Sequence, residues 1–323
     1  MKKFIWIVTA VLLLGVTLSA CGTGRKEAAE GKISIVTTIF PEYDWVRELT
    51  AGSSDVEITM LYDKGVDLHS FQPAMDDMVK IADCDLLIYV GGESDAWIED
   101  ALEAHKREDR VVIKLLDVLG DAAKEEELAE GMEEEEEEHG EEEGPEYDEH
   151  VWLSLKNARL FCNAITEKLV ALDGAHKDIY ESNAAAFGQK LTELDEEYAK
   201  AVSSAKLQTL LFGDRFPFRY LVDDYGLEYY AAFLGCSSES EAGFETIAFL
   251  ADKTDALGLL NILILENSDG KIARAIIDCT RDKNQNILTM NAMQSVSSED
   301  VEQGISYLSV MKQNLEVLKK ALQ

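Results

Sequence analysis

The stretch LLIYVGGESDAWIEDALEAHKREDRVVIKL, residues 86–115, contains one complete unit of the predicted fold. Leu86 to Val90 is a short, wholly apolar run, which is typical of a strand that is buried on both faces. A pair of glycines ends that strand, and a helix is predicted from Asp95 to Ala104. Val111 to Leu115 is the next apolar strand. A strand, a helix and a strand in this order indicate a parallel sheet with helices packed against it.

The same alternation recurs on both sides of this unit. Apolar residues at helical spacing, from Lys156 to Leu172 and again from His176 to about Ala205, predict a long connecting helix, with two shorter helices bent near Gly188 as the alternative. We therefore expect an α/β protein of two lobes, each with a mostly parallel sheet flanked by helices, joined by a long backbone helix. Further strands are predicted at 33–36, 56–61, 209–212, 228–232 and 262–265, and further helices at 42–50, 75–81, 244–254 and 271–279.

The start of the chain predicts export. Lys2 and Lys3 precede the apolar stretch Phe4 to Val16, which is too short for a stable membrane span and is typical of a secretory signal. Leu18-Ser19-Ala20-Cys21 matches a bacterial lipobox, in which Cys21 is lipidated; an ordinary cleaved signal is the alternative. The predicted organisation is a signal peptide at 1–20, a flexible tether at 21–31, an N-terminal lobe at 32–160 with an acidic loop at 121–149, a linking helix region at 161–205 and a C-terminal lobe at 206–323.

The negative charge of the chain is concentrated in one segment. The formal net charge is −33, and residues 125–149 hold sixteen Asp or Glu and no Lys or Arg. So many like charges stay solvated, which predicts a mobile loop that either collects cations or only keeps the surface soluble. His139, within this run, is given no role beyond a transient passage of cations. The acidity argues against a nucleic-acid partner, because phosphates need a basic surface.

Four cysteines follow Cys21, and their spacing gives no CxxC pair, so no zinc knuckle is indicated. In an exported protein a disulfide is an option, and Cys236 with Cys279 is the favoured pair because both lie in the second half of the chain. Buried free thiols are the equally supported alternative.

Two of the five histidines lie at junctions between a loop and a regular element. His69 is in the loop after the strand that ends at Leu61, and His150 comes directly after the acidic run. Neutral imidazole is a good ligand for zinc, copper, iron or nickel. We therefore hypothesise that the two side chains bind a metal ion, with a surface or capping role for each as the alternative. The ligand of a two-lobed α/β protein is expected in the cleft beyond the carboxyl ends of the strands.

Several segments, in the right order, resemble the zinc/manganese-specific solute-binding lipoproteins of ABC transporters. The resemblance covers nearly the whole mature length, and it implies two α/β lobes joined by a long backbone helix, with the metal ion between them. It also implies an acidic, often histidine-rich loop before the second ligand. The matching segments are TTIFPEYDWV at 37–46, GVDLHSFQP at 65–73, YVGGESDAW at 89–97, EHVWLSLKNA at 149–158, DDYGL at 223–227 and YLSVMKQNL at 307–315.

The resemblance implies that His69 and His150 are the first two metal ligands. At the third position this sequence departs from the family, which has a histidine or a carboxylate there. Counting from the preceding strand gives Gly213, and counting back from the DDYGL segment gives Arg215. Asp214, between them, is the only residue nearby that can bind a cation, and it is the predicted ligand. A role as a turn cap or as the partner of Arg215 is the alternative.

The fourth family ligand is a carboxylate whose match here is Gln294. An amide oxygen carries no charge and is the weaker donor, so we expect metal binding that is weaker than in typical members. Glu266, which matches a family glutamate, is a further candidate, although a structural role is preferred for it. Glu245 is a more remote candidate.

The function expected from this reading is capture of a divalent cation by a lipid-anchored, monomeric, non-enzymatic protein outside the membrane. Zinc is preferred because of the nitrogen ligands, and manganese is second because of the carboxylate. A membrane permease with its ATPase would receive the ion. A metal-dependent hydrolase is disfavoured, because no HExxH motif occurs. A surface interaction or adhesion lipoprotein that keeps the fold with a degenerate metal site is the other alternative.

Overall fold

The N-terminal half contains a four-stranded parallel sheet. A computed structural model of the protein describes residues 32–132, 146–237 and 241–323. In the sheet the order is β2-β1-β3-β4, and every neighbouring pair is parallel. Its strands are β1 (Ile33–Thr37), β2 (Val56–Met60), β3 (Leu86–Tyr89) and β4 (Val111–Lys114), and its helices are α1 (Phe40–Leu49), α2 (Met75–Asp83), α3 (Ala96–Ala104) and α4 (Leu115–Leu119).

Two long helices, α5 (Leu155–Leu172) and α6 (Lys177–Ser203), lead from this sheet to the second half. The Ser154 side chain caps α5 by accepting the backbone N–H of Asn157. The 27 residues of α6 give it a length of about 40 Å. It passes through Gly188 as one element, so the alternative of two shorter helices is wrong.

The second sheet has the order β6-β5-β7-β8, again with parallel neighbours throughout. The expected pair of parallel sheets flanked by helices is therefore confirmed. The strands are β5 (Thr209–Phe216), β6 (Glu228–Leu234), β7 (Asn261–Leu265) and β8 (Asn286–Met290), and the helices are α7 (Arg219–Tyr225), α8 (Phe244–Leu257), α9 (Lys271–Cys279), α10 (Ser298–Glu302) and α11 (Tyr307–Ala321).

Helix α6 contacts both lobes, as the prediction of a backbone helix requires. Near its start, the Asn183 amide donates to the carbonyl oxygens of Leu49 and Ala51 at 3.0 and 2.8 Å. Near its end, the Tyr198 hydroxyl donates to the carbonyl oxygen of Met311 at 2.6 Å. The helix therefore supports α1 of the first lobe and α11 of the second along one stiff element.

The two lobes also share buried side chains. Trp45 of α1 packs against Phe161 of α5 and against the edge of Tyr307 of α11, and all three rings are fully buried. Tyr307 reaches further into the first lobe, because its hydroxyl donates to the carbonyl oxygen of Trp152 at 2.7 Å. Aromatic burial on this scale resists separation of the lobes.

Four elements of the second lobe were not predicted, namely β8, α7, α10 and α11. β8 is an edge strand of its sheet, and only its last residue is buried. The predicted disulfide between Cys236 and Cys279 is also wrong, because all four cysteines of the described residues are free thiols. Cys84 and Cys162 are buried, whereas Cys279 is exposed. Within the same residues no helix has the length and apolar character needed to cross a membrane.

Candidate metal centre

His69 lies in a one-turn 3-10 helix, Leu68–Ser70, after the carboxyl end of β2. Asp67 caps this turn by accepting the backbone N–H of His69 at 3.1 Å. On the other side of the ring, Nδ1 of His69 lies 2.8 Å from the hydroxyl oxygen of Ser94, which follows β3. The cap fixes the backbone and the hydroxyl fixes the ring, so Nε2 of His69 faces the cleft.

His150 is fully buried and begins the 3-10 turn Val151–Leu153. Its Nδ1 and its backbone N–H both lie within 2.9 Å of the same carboxylate oxygen, Oδ1 of Asp148. A carboxylate only accepts, so Nδ1 of the neutral ring carries the proton and Nε2 presents its lone pair. An imidazole held by a carboxylate in this way is the arrangement found at metal-binding histidines.

Gln294 enters the site from the second lobe, four residues after β8. The backbone that carries it is fixed by Glu266, whose two carboxylate oxygens accept the N–H groups of Ala292 at 2.7 Å and of Gln294 at 3.1 Å. Trp152, two residues after His150, donates its indole N–H to the carbonyl oxygen of Ala292 at 2.8 Å. These contacts tie the segments of His150 and Gln294 together across the lobes and give Glu266 the structural role.

The three side chains converge on one point. The Nε2 atoms of His69 and His150 are 3.2 Å apart, and the Gln294 amide nitrogen lies 3.1 Å from the first and 2.8 Å from the second. With the proton of each ring on Nδ1, the two hydrogens of the amide group face the two imidazole lone pairs. A half-turn of the terminal amide would present its oxygen instead, which is the atom that binds a cation. The structure thus brings together three of the four predicted ligands.

Burial and a close second imidazole govern the charge state of His69. Burial lowers the pKa of His69, and the neighbouring His150 lowers it further, to about 3. The His69 ring is therefore neutral near pH 7, and its lone pair is available to a metal ion.

Asp214 is placed differently from the three converging residues. Its Oδ1 accepts the backbone N–H of Arg215 at 2.9 Å, and its Oδ2 accepts the N–H of Leu265 at 3.2 Å. It lines a cavity of about 520 Å³ with His69, but it is absent from the group of ligand-type atoms around the imidazoles among the described residues. Its role as a ligand stays a prediction.

Strand β5 contains a β-bulge in the segment where the third family ligand is expected. Between Phe212 and Arg215, β5 takes three steps while β6 takes two, from Ala231 to Phe233. Arg215 points to the first lobe, where its guanidinium binds Oδ2 of Asp67 at 2.7 Å.

Cys236 is a residue near the site to which the sequence reasoning gave no ligand role. It comes two residues after β6, and its Sγ lies within 4.8 Å of the ligand atoms of His69 and His150. The signal that was available is positional, because parallel strands bring the residues after their carboxyl ends to one edge. Because Cys236 was assigned to a predicted disulfide, it was not considered as a metal ligand.

Buried carboxylates surround the cluster. Glu126, Asp148 and Glu149 all come from the stems of the acidic loop, which pair through Glu125 and Tyr147. Burial raises the pKa of Glu149 to about 7 and also raises that of Glu126. Among the described residues, Oε2 of Glu149 and Oε1 of Glu126 are buried without a hydrogen-bond partner. A cation nearby would offset the electrostatic cost of these groups.

Glu245, the remote candidate, is exposed in the first turn of α8 and does not join the cluster. Cys21, His139 and most of the acidic run lie outside the described residues. A cavity of about 420 Å³, lined by His69, Ser94 and Cys236 among others, opens beside the cluster. A larger cavity of about 1080 Å³ lies along the acidic stems and does not include the two histidines.

The chain resembles zinc-binding proteins over nearly its whole length. Residues 35–321 match the family described as zinc-uptake complex component A, periplasmic. The chain is 31% identical over 322 residues to the zinc-binding lipoprotein AdcA of Streptococcus pneumoniae strain R6, which covers 99% of this chain and 61% of AdcA. It therefore spans about three fifths of the length of that relative. It is 28% identical over 325 residues to the high-affinity zinc uptake system protein ZnuA of Bacillus subtilis, covering 98% and 97% of the two chains.

Solved structures give the same likeness. The crystal structure of the Zn(II)-bound ZnuA-like domain of Streptococcus pneumoniae AdcA superposes with a TM-score of 0.70 at 28% identity, over 90% of this chain and 99% of that one. The laminin-binding protein Lmb of Streptococcus agalactiae, described as having adhesin and metal transporting activity, gives a TM-score of 0.70 at 24% identity, over 90% and 100%. At that identity the second likeness concerns the fold alone.

Proposed function

The chain belongs to the family of the periplasmic zinc-uptake complex component A, and we propose that it captures a divalent cation outside the membrane for import. Zinc is the proposed cargo, and manganese is the second candidate. The ion is delivered to an ABC transporter permease and its ATPase. The protein acts as a monomer that is tethered to the membrane by a lipid on Cys21.

The observation that carries this proposal is the 3.2 Å separation of the Nε2 atoms of His69 and His150. Two lone pairs that face each other repel, unless a donor or a cation lies between them. Zinc binds imidazole nitrogen at about 2.0–2.1 Å, and two ligands of a tetrahedral zinc ion are then about 3.3 Å apart. The imidazoles therefore already have the spacing that zinc requires.

The contacts behind the ligands support the same role. Asp148 and Ser94 fix the two imidazole rings, and Glu266 fixes the backbone of Gln294. Such supporting contacts lower the cost of organising the site when the ion binds. They also favour capture over the alternative of a surface lipoprotein with a degenerate site, because a decayed site would not retain them together.

The nature of the ligands favours zinc over manganese. Imidazole nitrogen suits zinc, whereas manganese prefers carboxylate and water oxygen. The zinc-binding relatives support the same choice. Because His69 and His150 come from one lobe and Gln294 from the other, a bound ion would hold the cleft closed and present one shape of the protein to the permease.

Competition titration of zinc and manganese against a chromophoric chelator tests the proposal. We expect zinc to bind more tightly than manganese, and His69→Ala and His150→Ala each to weaken zinc binding by about 100-fold or more. His105→Ala is the matched control, because His105 is exposed at the end of α3. Zinc affinity no tighter than about 10 µM, or equal losses in all three variants, would exclude the cleft as the capture site.

A further inference from the structure

Cys236 offers a donor from the second lobe that the proposed ligand set lacks. We propose that the Cys236 thiolate is the third ligand of the captured ion, so that the site consists of two imidazoles, one thiolate and the amide oxygen of Gln294. This inference rests on the proposed function and specifies the chemistry of its cargo.

The distances allow a closed tetrahedral site. The ligand atoms of His69, His150 and Cys236 all lie within 4.8 Å of one another. With zinc–nitrogen bonds of about 2.05 Å and a zinc–sulfur bond of about 2.3 Å, the nitrogen and sulfur atoms of a tetrahedron are about 3.6 Å apart. An inward movement of Sγ by at most about 1.2 Å, the difference between 4.8 and 3.6 Å, therefore completes the site.

The loop that carries Cys236 is fitted to the imidazole beside it. Gly235 lies so close to His150 that an added Cβ would be 2.8 Å from the ring carbon Cε1 and 3.0 Å from the carbonyl oxygen of Phe216. Glycine is therefore required for the chain to pass the ring at this distance. The close passage is what brings the next side chain, Cys236, to the imidazoles.

The surroundings of Cys236 give the thiol proton a destination. The Glu126 carboxylate lies beside the Cys236 thiol, and both groups line the same cavity. When the metal–sulfur bond forms, the S–H bond breaks, and the proton passes to Glu126 and from there to solvent. One carboxylate oxygen of Glu126 and one oxygen of Glu149 are buried without partners among the described residues, so a dication also balances their charge.

A thiolate changes the class of cation that the site selects. Thiolate ligands favour zinc, cadmium and monovalent copper, whereas manganese prefers oxygen donors. The proposed site contains one sulfur, two nitrogens and one neutral oxygen. The cargo is accordingly a thiophilic cation, and manganese is disfavoured more strongly than two imidazoles alone would require.

Cobalt(II) titration of the purified, reduced protein tests the inference. Cobalt occupies zinc sites, its visible bands report binding, and a near-ultraviolet sulfur-to-cobalt band reports a thiolate ligand. We expect both signals in the wild type. In Cys236→Ser we expect the visible bands without the ultraviolet band, and zinc affinity lower by about 10–100-fold. Cys279→Ser is the matched control, because Cys279 is exposed, and it should retain the ultraviolet band.

The outcomes separate this inference from the proposed function. Cobalt binding without the ultraviolet band in the wild type, or unchanged zinc affinity in Cys236→Ser, would overturn the thiolate ligand and leave metal capture intact. In that case we expect Asp214→Asn, titrated in parallel, to lower the zinc affinity instead. Failure of cobalt and zinc to bind the wild type at all would overturn both proposals. Thermal melting of each variant establishes that the substituted protein is folded.

Discussion

The Nε2 atoms of His69 and His150 lie 3.2 Å apart, although 81 residues separate them in the chain. The two rings are held from behind by Ser94 and Asp148 and bridged in front by the Gln294 amide. Contacts within the protein therefore hold the two imidazoles at this spacing. Groups held in place in this way lose less entropy when they bind a ligand.

Asp148→Asn is expected to weaken zinc binding by about 10–100-fold. The carboxylate holds the proton on Nδ1 of His150, and an amide at this position either loses that contact or turns its N–H₂ group toward the ring. Isothermal titration with zinc measures the change. Asp252→Asn is the matched control, because Asp252 is exposed on α8 and its substitution should leave the affinity unchanged. Wild-type affinity in Asp148→Asn would mean that ring orientation is fixed without the carboxylate.

Gly235→Ala is expected to lower zinc affinity by about tenfold, equivalent to about 1.4 kcal/mol. The new methyl group would lie 2.8 Å from Cε1 of His150, so either the ring or the loop must move. Gly174→Ala serves as control, since a Cβ there meets no atom within 4 Å. Competition titration measures the zinc affinity of both variants. Equal affinities in Gly235→Ala and Gly174→Ala would contradict the close contact between Gly235 and His150.

Arg215→Gln is expected to speed zinc release by about 3–10-fold, with little change in the association rate. Arg215 of β5 binds Asp67, the residue that caps the turn of His69, so the ion pair joins the two sides of the cleft. Burial alone would raise the pKa of Asp67, but the hydrogen bond and charge of Arg215 outweigh it and lower that pKa. The carboxylate thus stays ionised as the partner of the guanidinium.

Stopped-flow exchange of zinc into a chelator gives the release rate of this variant. Arg281→Gln is a suitable control, because the Arg281 side chain is 81% exposed and pairs with Asp255 far along the chain from the cleft residues. Since partly exposed ion pairs contribute about 0–1 kcal/mol, the unfolding free energy should change little. A release rate equal to that of the wild type would show that the ion pair does not hold the cleft.

Asp44→Asn is expected to flatten the pH dependence of stability between pH 4 and 6. Burial raises the pKa of Asp44 from its ordinary value of 3.8 to about 6, despite hydrogen bonding by the Tyr307 N–H and the charge of Arg47. In that range the folded protein holds a proton that the unfolded chain has released, so stability falls as the pH rises. The rise in pKa corresponds to about 3 kcal/mol, lost fully above pH 6.

Urea denaturation at pH 4, 5, 6 and 7 measures this effect as the difference between variant and wild type. The difference should change by up to about 3 kcal/mol in favour of the variant as the pH rises from 4 to 7. Asp252→Asn, at an exposed site, should show a constant difference. A constant difference for Asp44→Asn would mean that Asp44 stays ionised in the folded protein across this range.

The fold was largely predictable because its signals are local. Apolar runs such as Leu86–Tyr89, followed by glycine and a helical pattern, identify buried parallel strands without reference to the rest of the chain. β8 was missed although three of its five residues are apolar, as in the edge strand β2, which was predicted. α7, with seven residues, is too short for a helical period to be distinguished.

The site was only partly predictable, because its residues lie far apart along the chain. His69, His150 and Gln294 were found from their residue types and from the resemblance. Asp214 was selected because it is the only nearby residue that can bind a cation, and in the structure its oxygens accept backbone N–H groups; its role as a ligand stays a prediction. Cys236 carries no local signal for metal binding.

The sequence by itself determined the alternation of strands and helices and singled out the two histidines, and it predicts an export signal. Each of these depends on neighbouring residues or on a distinctive side chain. The tertiary structure alone showed that Cys236 of the second lobe lies beside those histidines. In each sheet the parallel strands, which come from distant parts of the chain, have their carboxyl ends on the same side. The residues that follow Leu234 and Met290 meet on that side. Convergence of this kind depends on strand order and on one close glycine contact, neither of which is written in any single segment.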